Sequence, residues 1–187
     1  MLGRILFPMT LLSVVTGCAP RVEQPTSELK VEVRSAEATP VLVREVQGDF
    51  VRHREILTEL LRTAKHLGLQ EIGSPIGIYP VDPDAFPANR LVWRVALPIR
   101  GAAGTIVPSD YSLDTLPAAR LLAVRSTVAE SHRDGLALKI WTLENGYIQT
   151  GPTRMSYLEA PTGTPADIVT EIAFPVRERT YFADRMR

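Results

Sequence analysis

One acidic residue near the end of the chain, Glu171, is the clearest candidate for a ligand-reading group. It lies in an apolar stretch, residues 167–176, whose composition predicts a β-strand. Because successive strand residues point to opposite faces, Glu171 shares a face with Val169 and Ala173. A carboxylate among apolar neighbours is costly to bury unless a partner compensates its charge. Glu171 is therefore either a group that recognises a ligand or an ordinary acid on a solvated face.

The elements that would position Glu171 occur twice in the chain, at an offset of about 77 residues. Residues 95–99 align with residues 172–176, and residues 68–75 align with residues 145–152. Each copy predicts a strand, a helix and two further strands. The halves cover about residues 30–100 and 114–177, and residues 100–113 are interpreted as a connector.

This duplication predicts an α+β fold. Two βαββ units would form one antiparallel sheet with two main helices on one face, and a ligand groove would lie between the pseudo-twofold halves. The first helix has an apolar stripe through Leu57, Leu60 and Ala64, and Gly68 is placed to end it. The second helix, residues 130–144, has its own stripe of Leu136, Ile140 and Leu143. The histidines of the first helix, His53 and His66, are interpreted as surface residues.

The N-terminus predicts export and lipid attachment. Arg4 precedes a short apolar run, and residues 15–18, Val-Thr-Gly-Cys, resemble the bacterial lipoprotein lipobox. That resemblance implies a signal peptide over residues 1–17, cleavage before Cys18 and lipid on its sulfur, with residues 18–29 as a tether and residues 30–187 as the folded domain. The alternative is an ordinary secretory peptide with an incidental cysteine. We expect a periplasm-facing protein of the bacterial envelope, anchored at the outer membrane.

Composition and motifs exclude several classes of binding partner. Lysine plus arginine equals aspartate plus glutamate, 21 each, so the chain lacks a basic footprint for nucleic acid. We find no metal-binding, nucleotide-binding or nucleophile motif, and we predict neither a metal nor a cofactor. The sequence leaves the ligand and the oligomeric state open.

Three motifs at matching places carry a family resemblance. They are Pro75-Ile76-Gly77-Ile78-Tyr79 followed by Asp82-Pro83, then Ala96-Leu97-Pro98-Ile99, and Thr170-Glu171-Ile172-Ala173-Phe174-Pro175-Val176. Over residues 31–176 the chain resembles the GyrI-like small-molecule-binding domain, the effector-binding module of some AraC- and MerR-type regulators. This domain is a distant relative of the SOUL haem-binding proteins. The resemblance implies a groove for hydrophobic, often cationic, small molecules, and an acid on the last strand, matched by Glu171, as a ligand contact.

The chain also departs from this family, because Arg94 stands where the first half often has an acid. Arg94 would either pair with Glu171 in a shared groove or extend to the rim. Strand alternation places Trp93 on the helix-facing side, where a tryptophan of the core is expected more than one that stacks on a ligand. Tyr79 and Tyr157 occupy similar places in the two halves and are candidates for the groove wall.

We therefore predict a membrane-anchored lipoprotein that binds a hydrophobic or amphipathic small molecule, with Glu171, Arg94, Trp93, Tyr79 and Tyr157 as candidate ligand contacts. A binding module is favoured over an enzyme. The alternatives are a small-molecule hydrolase that uses Glu171 as general base, a haem-binding protein, and an envelope protein-interaction module.

Overall fold

The structure, a computed structural model, describes residues 29–48, 53–79, 90–101, 104–158 and 167–180. The predicted signal peptide, Cys18 and the tether up to residue 28 lie outside the described residues, as do Asp82 and Pro83. Leu29 is described, and it packs with Val31 against the apolar cluster beneath the second helix.

Two helices and ten strands lie in the described ranges. They are β1 (Glu32–Ala36), β2 (Thr39–Gln47), α1 (His53–His66), β3 (Gln70–Glu71), β4 (Ile76–Tyr79), β5 (Val92–Arg100), β6 (Tyr111–Leu116), β7 (Ala119–Thr127), α2 (Ser131–Glu144), β8 (Tyr147–Gln149), β9 (Thr153–Tyr157) and β10 (Val169–Glu178). The predicted α+β class, the duplication and the antiparallel sheet are confirmed. The connector prediction for residues 100–113 is wrong at its end, because β6 begins at Tyr111 and is the second half's equivalent of β1.

The strand order is symmetric about the centre of the sheet. It runs β1-β7-β10-β9-β4-β5-β2-β6, so each strand of one half mirrors its equivalent in the other. Strands β4 and β9 meet in the middle, where Gly77 pairs with Met155 at the pseudo-twofold axis.

The edge strands are exchanged between the halves. Strand β1 pairs with β7 of the second half, and β6 pairs with β2 of the first. Only residues 37–38 link β1 to β2, and only residues 117–118 link β6 to β7. Because such a link spans about 10 Å at most, the two ends of the sheet must meet. The sheet is therefore strongly curled, and neither half is complete without a strand of the other.

The two faces of the sheet are both buried, for different reasons. On one face, which we call the helix side, α1 packs against Trp93 and its neighbours on β5, and Leu138 of α2 packs against β10. The opposite, helix-free face carries mainly small residues and valines that are at most 3% exposed, namely Val41, Val43, Ala96, Ala123 and Ala173. Small side chains suit the inside of a tight curve, so we assign the helix-free face as the concave side of the sheet.

The second helix turns a different face to the sheet than its apolar stripe predicts. Asp134, Leu138 and Thr142 are buried, whereas the predicted stripe of Leu136, Ile140 and Leu143 is 53%, 50% and 54% exposed. The reason is that two of the three inward positions of α2 are polar, so its hydrophobic pattern no longer marks the buried side. The predicted helix ends are confirmed, since Gly68 and Gly146 follow the two helices with φ of 68° and 74°.

Candidate functional site

An aromatic cluster lies on the helix side at the centre of the sheet. The Tyr79 hydroxyl is 3.1 Å from the Tyr157 hydroxyl and 2.8 Å from Nε2 of His53. The Trp93 ring lies edge to face against His53, with 4.7 Å between centroids, and stacks on Tyr79 at 5.8 Å. The indole nitrogen of Trp93 donates to the Gly48 carbonyl, which fixes the ring.

The two tyrosines come from equivalent positions of the two halves and meet near the pseudo-twofold axis. Tyr79 leans along its own strand over Gly77, and a Cβ on Gly77 would lie 2.3 Å from the Tyr79 hydroxyl oxygen. No real side chain tolerates this distance, so the phenol occupies the space that the glycine leaves. Gly77 therefore determines where Tyr79 lies.

Burial keeps both phenols neutral. It raises the pKa of Tyr79 well above its usual value, and it raises the pKa of Tyr157 to about 12, against a smaller lowering effect of the hydrogen bond between the two hydroxyls. The cluster accordingly offers apolar rings and uncharged hydroxyls rather than a phenolate.

A row of polar groups continues from this cluster across the second half. Thr170 pairs with Tyr157 on one side and with Ser126 on the other. The Ser126 hydroxyl donates to Oδ2 of Asp134 at 2.8 Å, and Nε of Arg133 donates to Oδ1 at 3.0 Å. Thr170 is fully buried, and its hydroxyl has no hydrogen-bond partner in the described part of the chain. A buried hydroxyl without a partner is unusual in a folded protein.

The first half fills the same positions with apolar side chains. Trp93 pairs with Val46 on the neighbouring strand, as Thr170 pairs with Ser126. Ile56 and Asp134 are each the fourth residue of their helix. Val46, Ile56 and Trp93 of the first half thus correspond to Ser126, Asp134 and Thr170 of the second, respectively. Apolar residues of the first half stand where the second half has polar ones. The helix side is therefore chemically asymmetric although the backbone is repeated.

Glu171 lies on the helix-free face, where it is 7% exposed. Nη1 of Arg34 donates to its Oε2 at 2.8 Å, and Nη2 of the same arginine donates to Oε1. The hydrogen bond to Glu171 raises the pKa of Arg34. Both carboxylate oxygens are thus engaged in a two-point ion pair between the edge strand β1 and β10, an arrangement that gives little support to a general-base role.

Arg94 reaches Asp114 rather than Glu171, with 3.5 Å between Nη1 and Oδ2. The strands involved, β5 and β6, are the equivalents of β10 and β1. The two ion pairs therefore occupy equivalent places with their charges exchanged: the inner strand carries the acid in one half and the arginine in the other. The departure of Arg94 from the family pattern is explained by this exchange.

The five predicted contact residues divide into two sets on opposite faces of the sheet. Trp93, Tyr79 and Tyr157 lie on the helix side, and Glu171 and Arg94 lie on the helix-free face. The prediction of one groove lined by all five residues is therefore wrong, since alternation along β5 and β10 separates Trp93 from Arg94 and Thr170 from Glu171. A ligand contact by any of them stays a prediction.

Sequence reasoning missed His53, Ser126 and Asp134. His53 is half-buried rather than exposed, and its ring contacts those of Tyr79, Trp93 and Tyr157. Aligning the two helices, His53–His66 with Ser131–Glu144, sets Asp134 against Ile56, which is buried. The repeat of the sequence was therefore the signal that could have indicated an inward position for Asp134.

The described ranges offer neither a cluster of potential metal ligands nor a membrane-spanning helix. They contain no group of three or more histidine, cysteine, aspartate and glutamate residues placed to hold a metal ion. No helix among them is both long and apolar enough to cross a bilayer.

Comparison with known proteins identifies the fold. No protein-family profile and no curated protein matches the sequence. Among solved structures, the EcmrR C-terminal domain is similar with a TM-score of 0.68 and 16% identity, over 81% of this chain and 99% of that one. A hydrolase from Listeria innocua has a TM-score of 0.57 and 12% identity over 79% and 92% of the two chains. SAV2435, in a structure with bound tetraphenylphosphonium, has a TM-score of 0.51 and 13% identity over 80% and 94%. This chain thus has the fold of the EcmrR C-terminal domain.

Proposed function

We propose that this protein binds an amphipathic small molecule on the helix side of the sheet, in the second half, next to the central tyrosine pair. The observation that carries the proposal is the unequal filling of two equivalent positions. Trp93 fills the space between the sheet and α1, whereas the equivalent residue under α2 is Thr170, a much smaller side chain.

The surroundings of Thr170 favour an apolar ligand with a flat surface. Tyr157 stands on the neighbouring strand, and Met155, Val128 and Ile168 belong to the same apolar cluster. Aromatic rings and a methionine make large, adaptable contact surfaces for such ligands. The fold that this chain shares with SAV2435 makes tetraphenylphosphonium a reasonable first probe.

The binding proposal is tested by thermal unfolding of the purified protein with increasing tetraphenylphosphonium. A ligand that binds only the folded state raises the melting temperature with saturation. Thr170→Leu, which adds volume at the site, should weaken binding by about tenfold or more, an expectation based on overpacking. Thr115→Leu, on an exposed position of β6, is the matched control and should leave binding unchanged.

The binding proposal fails if neither tetraphenylphosphonium nor aromatic compounds of similar size and other charge give a saturable shift. It also fails if Thr170→Leu and Thr115→Leu bind the probe equally well.

We further propose that Cys18 carries lipid and anchors the protein in the bacterial envelope, facing the periplasm at the outer membrane. The support is the lipobox-like sequence before Cys18, which is the single cysteine of the chain. Mass spectrometry of the protein from bacterial membranes should find the mature chain beginning at Cys18 with added acyl mass, and Cys18→Ala should abolish both the added mass and the membrane fractionation. An unmodified Cys18 in the soluble fraction would contradict the anchor without affecting the ligand site.

A further inference from the structure

We infer that the second half of the helix side recognises a hydrogen-bond donor on the ligand, a protonated amine above all, through the Thr170 hydroxyl and the Asp134 carboxylate. The inference rests on the proposed ligand site and specifies its polar end. It assigns a role to Asp134, Ser126 and Thr170, none of which belongs to the charged pair at Glu171.

Thr170 has a buried hydroxyl without a hydrogen-bond partner among the described residues. Its hydroxyl is fully enclosed, and the described residues provide it with no hydrogen-bond partner. A hydroxyl has one donor and two acceptor positions, and leaving all of them unused in the interior is unfavourable. A polar ligand atom at this place would remove that cost.

The Asp134 carboxylate can accept further hydrogen bonds. Asp134 is 9% exposed, and its carboxylate receives one described hydrogen bond on each oxygen, from Ser126 and from Arg133. An ionised carboxylate can accept about four hydrogen bonds, so two positions remain. Arg133 compensates the charge from outside the core, since its side chain is 62% exposed. A buried carboxylate with free acceptor positions favours a donor, and a cationic donor most of all.

The polar side chains of Ser126, Thr170 and Asp134 lie on the same face of the sheet. Ser126 and Thr170 are directly paired across β7 and β10, and both side chains point to the helix side. Side chains of such a pair lie about 5 Å apart, so the Thr170 hydroxyl adjoins the Ser126–Asp134 hydrogen bond. A ligand group at this place would therefore lie next to all three residues.

The two halves differ in polarity at these positions. At the equivalent positions of the first half, Val46, Ile56 and Trp93 offer no comparable carboxylate or hydroxyl. A ligand with an apolar end and a donor end is therefore bound in one orientation, with its donor toward α2 and its apolar part toward the central tyrosines.

The test uses three probes that share one aromatic skeleton: naphthylmethylamine, naphthylmethanol and naphthoate. Affinities are measured by calorimetry at neutral pH, with tetraphenylphosphonium, which has no donor, as the reference. We expect the amine to bind best, the alcohol less well and the carboxylate least. Asp134→Asn should weaken the amine by about tenfold and the alcohol much less, because only the charged donor loses a charge-assisted bond.

Thr170→Val should weaken the amine and the alcohol alike by several-fold, and Thr170→Ser, which restores the hydroxyl, should recover most of the loss. Neither Thr170 variant should weaken tetraphenylphosphonium, which has no hydrogen-bond donor, by a comparable factor. If Asp134→Asn does not fold, Asp134→Glu and the Thr170 pair still decide the matter.

The inference is overturned if the three probes bind equally, or if Asp134→Asn and Thr170→Val leave their order unchanged, while tetraphenylphosphonium still binds. In that case an aromatic site remains without the polar recognition. If no probe binds, tetraphenylphosphonium included, the ligand site itself is refuted and the inference with it.

Discussion

Replacing Gly77 by alanine tests the placement of the central tyrosine pair. The added Cβ would lie 2.3 Å from the Tyr79 hydroxyl oxygen, 2.7 Å from Cζ and 2.9 Å from Cε2. The ring cannot tilt aside slightly, because its hydroxyl is bonded to Tyr157 and His53 and its face stacks on Trp93. The substitution must therefore displace the phenol and break its contacts.

The cost follows from three contributions. Overpacking a buried site costs about 1–3 kcal/mol, and each lost buried hydrogen bond adds about 1 kcal/mol. Alanine gains back roughly 0.5–1 kcal/mol relative to glycine in a strand. We expect Gly77→Ala to lower the free energy of unfolding by about 2–4 kcal/mol, measured by urea denaturation.

Two controls make this prediction specific. Gly151→Ala meets only the Pro175 side chain at 3.4 Å and should be neutral or slightly stabilising. In a Tyr79→Ala background the obstacle is absent, so Gly77→Ala should then cost little or nothing. An equal cost of Gly77→Ala with and without the Tyr79 ring would refute the placement of Tyr79 over Gly77.

Three other outcomes follow from the same contacts. Burial raises the pKa of Tyr157 from 10.0 to about 12, so between these pH values the folded state keeps a proton that the unfolded state has lost. The contribution of Tyr157 to the free energy of unfolding should be constant below pH 10 and fall by on the order of 3 kcal/mol toward pH 12. Denaturation curves of Tyr157→Phe should lack this contribution and keep that of Tyr79, whose pKa is raised as well. Glu171→Gln should lower the free energy of unfolding by about 1–3 kcal/mol because it leaves Arg34 without its ion-pair partner. It should leave the affinity for tetraphenylphosphonium unchanged, since Glu171 faces away from the helix side, and a loss of affinity in calorimetry would contradict this. On α2, Leu138→Ala should lower the free energy of unfolding by about 2–5 kcal/mol because Leu138 is buried, and Ile140→Gln should lower it by less than about 0.5 kcal/mol because Ile140 is exposed. The reverse order in urea denaturation would mean that the helix is rotated.

The sequence predicts the fold better than it predicts the site. The repeated strand ending at Pro98 and Pro175, and the glycines after both helices, fix the duplicated α+β arrangement. Residue alternation also predicts that Trp93 turns toward α1. These features are local, so neighbouring residues suffice to predict them.

The partners of the charged residues depend on contacts that the sequence does not mark. Arg34 is 137 positions from Glu171 in the chain, and it reaches Glu171 only because the edge strands are exchanged. Without that exchange, Arg94 was the natural partner to consider. The outward stripe of α2 misleads for a related reason, because Asp134 and Thr142 are buried by tertiary packing against the local hydrophobic pattern.

The most direct test of the ligand site is a methyl NMR titration of the protein with tetraphenylphosphonium and naphthylmethylamine. The isoleucine methyl groups report on the two faces, because Ile172 lies on the helix side beneath α2 and Ile78 lies on the helix-free face. We predict saturable shifts at Ile172 and at the Thr170 methyl group, with Ile78 unchanged. Shifts confined to Ile78 would place the ligand on the face of Glu171 and contradict the account.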